Sequence, residues 1–136
     1  MRCLIDTIIF TKFVNENDSL SDEVRDILYV GENIIYVSSE SIKEFVHLVQ
    51  NRKFILEKKF RTLDVFDLIE NILGFNVKYV AREHLQTLSK LDLVDGHNDP
   101  SDRLIIAQAI TEKITLISSD KKFPKYRKQG LDLINM

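Results

Sequence analysis

Four acidic residues stand where the chain leaves a buried strand or opens a buried helix. Asp6 ends the apolar run Cys3-Leu4-Ile5, and Asp120 follows Thr115-Leu116-Ile117-Ser118, while Glu44 and Asp102 fall in the first turns of helices that succeed such runs. In an open α/β sheet, ligands bind outside the carboxyl ends of the strands, so carboxylates arriving there from four distant segments share one rim. Uncompensated, they repel one another and take up protons. A hard divalent cation, Mg²⁺ or Mn²⁺, answers that repulsion, because it prefers oxygen ligands and keeps several waters for chemistry.

Each acid also has a structural reading. In Asp99-Pro100-Ser101-Asp102, Asp99 reads as an N-cap, Pro100 as the first helical residue, and Asp102 as a carboxylate facing exposed amides. The helix that follows, Leu104-Ile105-Ile106-Ala107-Gln108-Ala109-Ile110, is apolar nearly all round. It therefore belongs in the interior and carries Asp102 part-way in, where a half-buried acid wants either Arg103 or a metal as partner. Ser41 and Glu44 have capping-box spacing, and Asp6 and Asp120 each fit an N-cap of the next element.

Other chemistries find less support. His47, His84 and His97 show no zinc spacing, and the one cysteine, Cys3, sits inside a strand as a small hydrophobe with no disulfide to make. The four glycines stand alone, so no phosphate-cradling loop is present, and Ser38, Ser39 and Ser41 read as helix caps without a nucleophile elbow. Net charge is −2 and pI about 5.9, so the molecule as a whole is not an obvious polyanion binder. Two basic groups remain: Arg52, Lys53, Lys58, Lys59 and Arg61, and, just after Asp120, Lys121, Lys122, Lys125, Arg127 and Lys128. The second group, beside an acidic site, could hold a phosphate backbone. Arg103, Lys121, Lys122 and Lys125 are the candidate substrate contacts.

The elements that must position these residues alternate. Strands are expected at Arg2 to Asp6, Ile34 to Val37, Val77 to Val80 and Thr115 to Ser118, with an edge strand at Leu131 to Ile134. Helices are expected over Thr7 to Val14, Ser19 to Tyr29, Ser39 to Gln50, Phe60 to Leu73, Arg82 to Leu91 and Ser101 to Lys113; the Phe60 to Leu73 face is Leu63, Phe66, Ile69 and Leu73, stopped by Gly74. Asp95-Gly96 and Asn98-Asp99-Pro100 are turn chemistry within a polar loop. The rhythm argues for an α/β fold, a mostly parallel sheet of four to five strands flanked by helices, and the 136 residues, 44% hydrophobic, suit a single domain over 1–136. No apolar stretch nears the roughly 20 residues needed to cross a bilayer, so a cytoplasmic protein is expected.

Four ordered blocks resemble the signatures of PIN-domain ribonucleases, especially the VapC-type toxins. They are Met1 to Thr7, Val37 to Phe45, His97-Asn98-Asp99-Pro100-Ser101-Asp102-Arg103-Leu104-Ile105-Ile106-Ala107-Gln108-Ala109, and Leu116 to Phe123; the third is the most specific. The resemblance implies a PIN-like three-layer fold, Mg²⁺- or Mn²⁺-dependent RNA cleavage by activated water, an antitoxin partner and often a homodimer. It carries the family's acidic positions onto Asp6, Glu44, Asp102 and Asp120 as metal-binding and catalytic residues, with Thr7 and Ser118 supporting them. Asp6 and Asp102 would hold the principal ion. The chain departs from the family pattern at Ile8, Lys43 and Ser101. A PIN-like nuclease acting on DNA and a non-catalytic Mg²⁺-binding receiver module are the rival readings; the receiver would want a second acid after Asp6, where Thr7 stands.

Overall fold

In a computed structural model, which describes residues 1–15, 19–61 and 64–136, five strands make one parallel sheet. They are β1 (Arg2–Ile5), β2 (Ile34–Ser38), β3 (Asn76–Lys78), β4 (Thr115–Ser118) and β5 (Leu133–Asn135), in the order β3-β2-β1-β4-β5. The helices are α1 (Thr7–Val14), α2 (Asp22–Tyr29), α3 (Ser39–Gln50), α4 (Arg82–Lys90) and α5 (Pro100–Glu112). Strand alternation divides the core in two. Cys3, Ile5, Ile35, Val37 and Ile117 face one layer with α1, α2 and α3, while Leu4, Leu116 and Leu133 face the other with Ile105, Ile106 and Ala109 of α5. A sheet covered on both faces by helices is the expected three-layer arrangement.

The chain builds outward from β1 to β3 and then crosses back to place β4 on the other side of β1. Ile5 pairs in register with both Val37 and Ile117. Strand order reverses between β1 and β4, and the crevice beyond their carboxyl ends is where such sheets accept ligands. Asp6 and Asp120 emerge there.

Several boundaries differ from expectation for local reasons. The helix expected over Phe60 to Leu73 is a 3₁₀ turn at Lys58–Phe60 and a π-helical turn at Asp67–Ile72; Leu63 lies outside the described residues. The Leu73 amide reaches back five residues to the Leu68 carbonyl at 2.9 Å. Leu68 and Ile69 are both buried, and Gly74 ends the turn at φ +70°. Helix α2 begins at Asp22 because the Ser21 hydroxyl caps the Val24 amide. Strand β3 stops at Lys78, since the Val80 amide is spent on Ser39 Oγ at 3.1 Å. A second 3₁₀ segment, Phe123–Gln129, ends at Gly130 and occupies the basic stretch after Asp120, so β5 starts only at Leu133. No helix among the described residues is long and apolar enough to cross a membrane.

Candidate active site

Asp6 leaves β1 and becomes the N-cap of α1, its Oδ1 accepting from the Ile9 amide at 2.9 Å. Capping here is compatible with chemistry, because one carboxylate oxygen remains. Asp120 follows β4 and folds back on itself, its Oδ1 accepting from the Lys122 amide at 2.8 Å; it makes a turn instead of a helix cap. Ser118 joins the two acids. Its hydroxyl donates to Asp6 and accepts from the Asp120 amide at 3.0 Å, while the Met136 amide and the Asn135 side chain hold its own carbonyl at 3.0 and 3.2 Å.

Asp102 enters from α5. Asp99 caps that helix as anticipated, accepting from the Asp102 amide at 2.9 Å. Burial of Arg103 through Ala109 seats the first turn against the sheet edge. Glu44 comes from α3, but no capping box forms. Ser38 is the N-cap, and Ser41 sits buried one turn in. The Thr7 hydroxyl stands 3.0 Å from Ser41 Oγ and 3.3 Å from Glu44 Oε1, so one proton is shared between two acceptors and Glu44 is held beside α1. Two departures from the family pattern meet on one further acid: Lys43 Nζ lies 2.8 Å and Ser101 Oγ 3.3 Å from Glu40 Oε2.

The charge state follows from this crowding. Burial pushes Asp6 up to about 6, with Asp102 and Asp120 adding to the rise and hydrogen bonds from Ser118 and the Ile9 amide opposing it. Glu44 is raised by burial and then by Asp102. Asp102 is raised by burial and by Asp99 and Asp120, and His97 offsets part of this. The donor set is rich in carboxylate oxygen and short of positive charge, which is the chemistry of a site for a hard divalent cation.

His97, which has no zinc spacing in the sequence, belongs to this rim. Its Nε2 is 3.3 Å from Asp102 Oδ2 and its Nδ1 2.6 Å from the Tyr126 hydroxyl. Ligand atoms of His97, Asp102 and Asp120 all lie within 4.8 Å of one another, the one such group among the described residues. Asp6 and Glu44 stand outside this tight set; Asp6 is coupled to it through Asp102 and Asp120, and Glu44 through Asp102. The available signal was position: His97 falls five residues before Asp102 in the same block. Of the candidate phosphate contacts, Arg103 requires correction. Its guanidinium is buried and donates to the Leu91 carbonyl at 2.6 Å, so it is held inside on a backbone oxygen. Lys122 donates to the Gly96 carbonyl and Lys125 to that of Asp95 at 3.4 Å, and Lys121 is exposed.

A family profile described as the PIN domain matches residues 3–129. The chain belongs to the PIN domain family. Members of this family are nucleases. The PIN fold aligns over 100% of this chain and 99% of its counterpart with VapBC2 from Rickettsia felis bound to a promoter DNA fragment, at TM-score 0.69 and 20% identity. VapBC-5 from Mycobacterium tuberculosis matches at 0.65 and 16%, covering 99% and 98% of the two chains. DNA-bound VapBC from Salmonella typhimurium matches at 0.65 and 17%, again over 99% and 98%. No curated protein matches the PIN chain by sequence.

Proposed function

We propose that this PIN-domain protein is a divalent-metal-dependent endoribonuclease of the cytoplasm, the VapC-type toxin of a toxin–antitoxin pair. The observation that carries the proposal is the convergence of Asp6, Asp102 and Asp120 at the β1/β4 switch point, with Glu44 held beside them by Thr7. Asp6, Asp102 and Asp120 would hold the ion, with Glu44 at its edge. When bound, Mg²⁺ or Mn²⁺ supplies Lewis-acid charge that activates water and neutralises the leaving oxygen of a phosphodiester.

The remaining roles fall to the chain itself. Glu44 Oε1 is engaged by Thr7, which leaves Oε2 to accept the proton of an attacking water. Its raised affinity for protons suits that task. Ser118 fixes the separation of Asp6 and Asp120 by donating to one and accepting from the backbone of the other. Lys121, exposed next to Asp120, offers a cation to a phosphate of the substrate. An antitoxin partner is supported by the VapBC complexes that share the fold.

Fluorescent RNA and DNA oligonucleotides incubated with the protein and Mn²⁺ test the substrate. Endonucleolytic cleavage of RNA alone, with kcat reduced in Glu44→Gln, is the expected result. DNA cleaved as fast as RNA would transfer the proposal to the rival nuclease class.

A further inference from the structure

The loop between α4 and α5 opens on Leu91, Leu93 and Val94 and is wholly polar from Asp95 to Asp99 apart from Gly96, yet it is fastened at point after point. Arg103 holds the Leu91 carbonyl, and Gln129 both accepts from the Asp92 amide at 2.7 Å and donates to its carbonyl at 3.3 Å. Lys125 and Lys122 take the carbonyls of Asp95 and Gly96. The turn itself closes through the His97 amide on the Val94 carbonyl at 2.9 Å, with Gly96 at φ +75°. In the stretch from Asp95 to Asp99 one side chain is buried, that of His97 at 5% exposure. Its ring is walled edge-on by Phe123 and Tyr126, at centroid distances of 5.6 and 5.3 Å. What all this fastening delivers is one imidazole, in fixed orientation, beside Asp102.

The hydrogen bonds allow that ring two states with the same proton count. Tyr126 can donate to Nδ1, leaving Nε2–H toward Asp102. Alternatively Nδ1–H donates to Tyr126, and the Nε2 lone pair faces the rim. The second is how metal-ligating histidines are held, the far nitrogen donating to a fixed oxygen. Spacing agrees: with bonds near 2.1 Å, adjacent donors on an octahedral ion stand about 3 Å apart, and Nε2 is 3.3 Å from Asp102 Oδ2.

We propose that His97 is a nitrogen ligand of the metal held at this rim, beside Asp102 and Asp120, and that it tilts the site toward Mn²⁺ over Mg²⁺. The inference rests on the reading of the rim as a metal site. Imidazole adds little for Mg²⁺, which prefers oxygen donors and retains water, and more for a transition metal. Loss of His97 as a ligand therefore weakens the two ions unequally. A role confined to orienting Asp102 would weaken both alike.

Pulsed EPR of the Mn²⁺-loaded protein reads the nitrogen directly. The wild type should display a directly bound imidazole ¹⁴N, replaced by the ¹⁵N pattern when histidine is ¹⁵N-labelled, so that no variant needs to fold for the test to work. His97→Gln retains a donor for Asp102 but has no imidazole; it should lose the coupling, bind Mn²⁺ at least about tenfold more weakly, and bind Mg²⁺ within about threefold of wild type by calorimetry. His47→Gln should keep the coupling. Mn²⁺ binding without a directly bound nitrogen, or equal losses for both ions in His97→Gln, would overturn the ligand role while leaving the metal site standing. Absence of Mn²⁺ binding to the wild type would overturn the metal site and this inference together.

Discussion

Replacing Asp6 by asparagine should stabilise the metal-free protein at neutral pH. Burial and the neighbouring acids raise Asp6 from an ordinary value of 3.8 to about 6, so ionising it costs about 3 kcal/mol more in the folded chain than in the unfolded one. Linkage sets the sign: between pH 4 and 6 the folded state holds a proton at Asp6 that the unfolded state has released, so the contribution of Asp6 to stability is most favourable below pH 4 and is lost as pH rises through 6. The asparagine side chain keeps an acceptor for the Ile9 amide but makes a weaker bond with Ser118, a loss of about 1 kcal/mol. A net gain of about 1–2 kcal/mol remains at pH 7.5, worth roughly 4–8 °C in melting temperature for a chain of this size. Thermal melts of both proteins in EDTA across pH 4 to 8 measure it as the difference between two curves, which cancels the titration of every other group. The Asp6→Asn variant should gain on the wild type steadily from pH 4 to 6 and hold its lead above. A variant less stable than wild type at pH 7.5, by an amount independent of pH, would refute the electrostatic picture of the rim.

Saturating Mn²⁺ should stabilise the wild type, by about 2.7 kcal/mol at a hundred times Kd, and move the melt of Asp6→Asn far less; equal shifts would mean the ion binds elsewhere. Asp99→Ala removes the α5 cap and should cost about 1 kcal/mol by urea denaturation while RNA cleavage persists. Loss of cleavage at full stability would reassign Asp99 to the chemistry. Lys121→Glu should weaken RNA binding and flatten the slope of log affinity against log salt by about 0.7, one single-strand phosphate contact. An unchanged slope would move the RNA path to the Arg52 to Arg61 cluster.

Features that depend on nearest neighbours were legible in the chain. The unbroken apolar run Cys3, Leu4 and Ile5, the Asp99 cap ahead of Pro100, and the all-round apolar run after Asp102 each specify local structure with few rivals, and they bring Asp6, Asp102 and Asp120 to one edge once the sheet is parallel. Features decided by long-range contact were not. Ser38 outcompetes Ser41 as the α3 cap because Ser41 is claimed by Thr7, 34 positions earlier. The π-helical turn at Asp67–Ile72, closed by the Leu73 amide on the Leu68 carbonyl, replaces the regular helix that the apolar spacing of Leu63, Phe66, Ile69 and Leu73 suggests. Arg103 reads as a substrate contact or a partner for Asp102 and is instead interior, its guanidinium meeting the Leu91 carbonyl. His97 carried no zinc spacing, and its place five residues before Asp102 was the one cue, because the Tyr126 hydroxyl that fixes its other nitrogen lies 29 residues away.

Whether this rim cleaves RNA through a metal held by its acids is decided by gel analysis of a labelled RNA incubated with wild type and Asp102→Asn, each with EDTA, Mg²⁺ or Mn²⁺ and with folding checked by circular dichroism. Internal cleavage by the wild type with either ion, none in EDTA, and none by the folded variant under any condition is the expected pattern. Cleavage that persists in EDTA, or in Asp102→Asn at wild-type rate, would rule out a metal held by these acids as the source of activity.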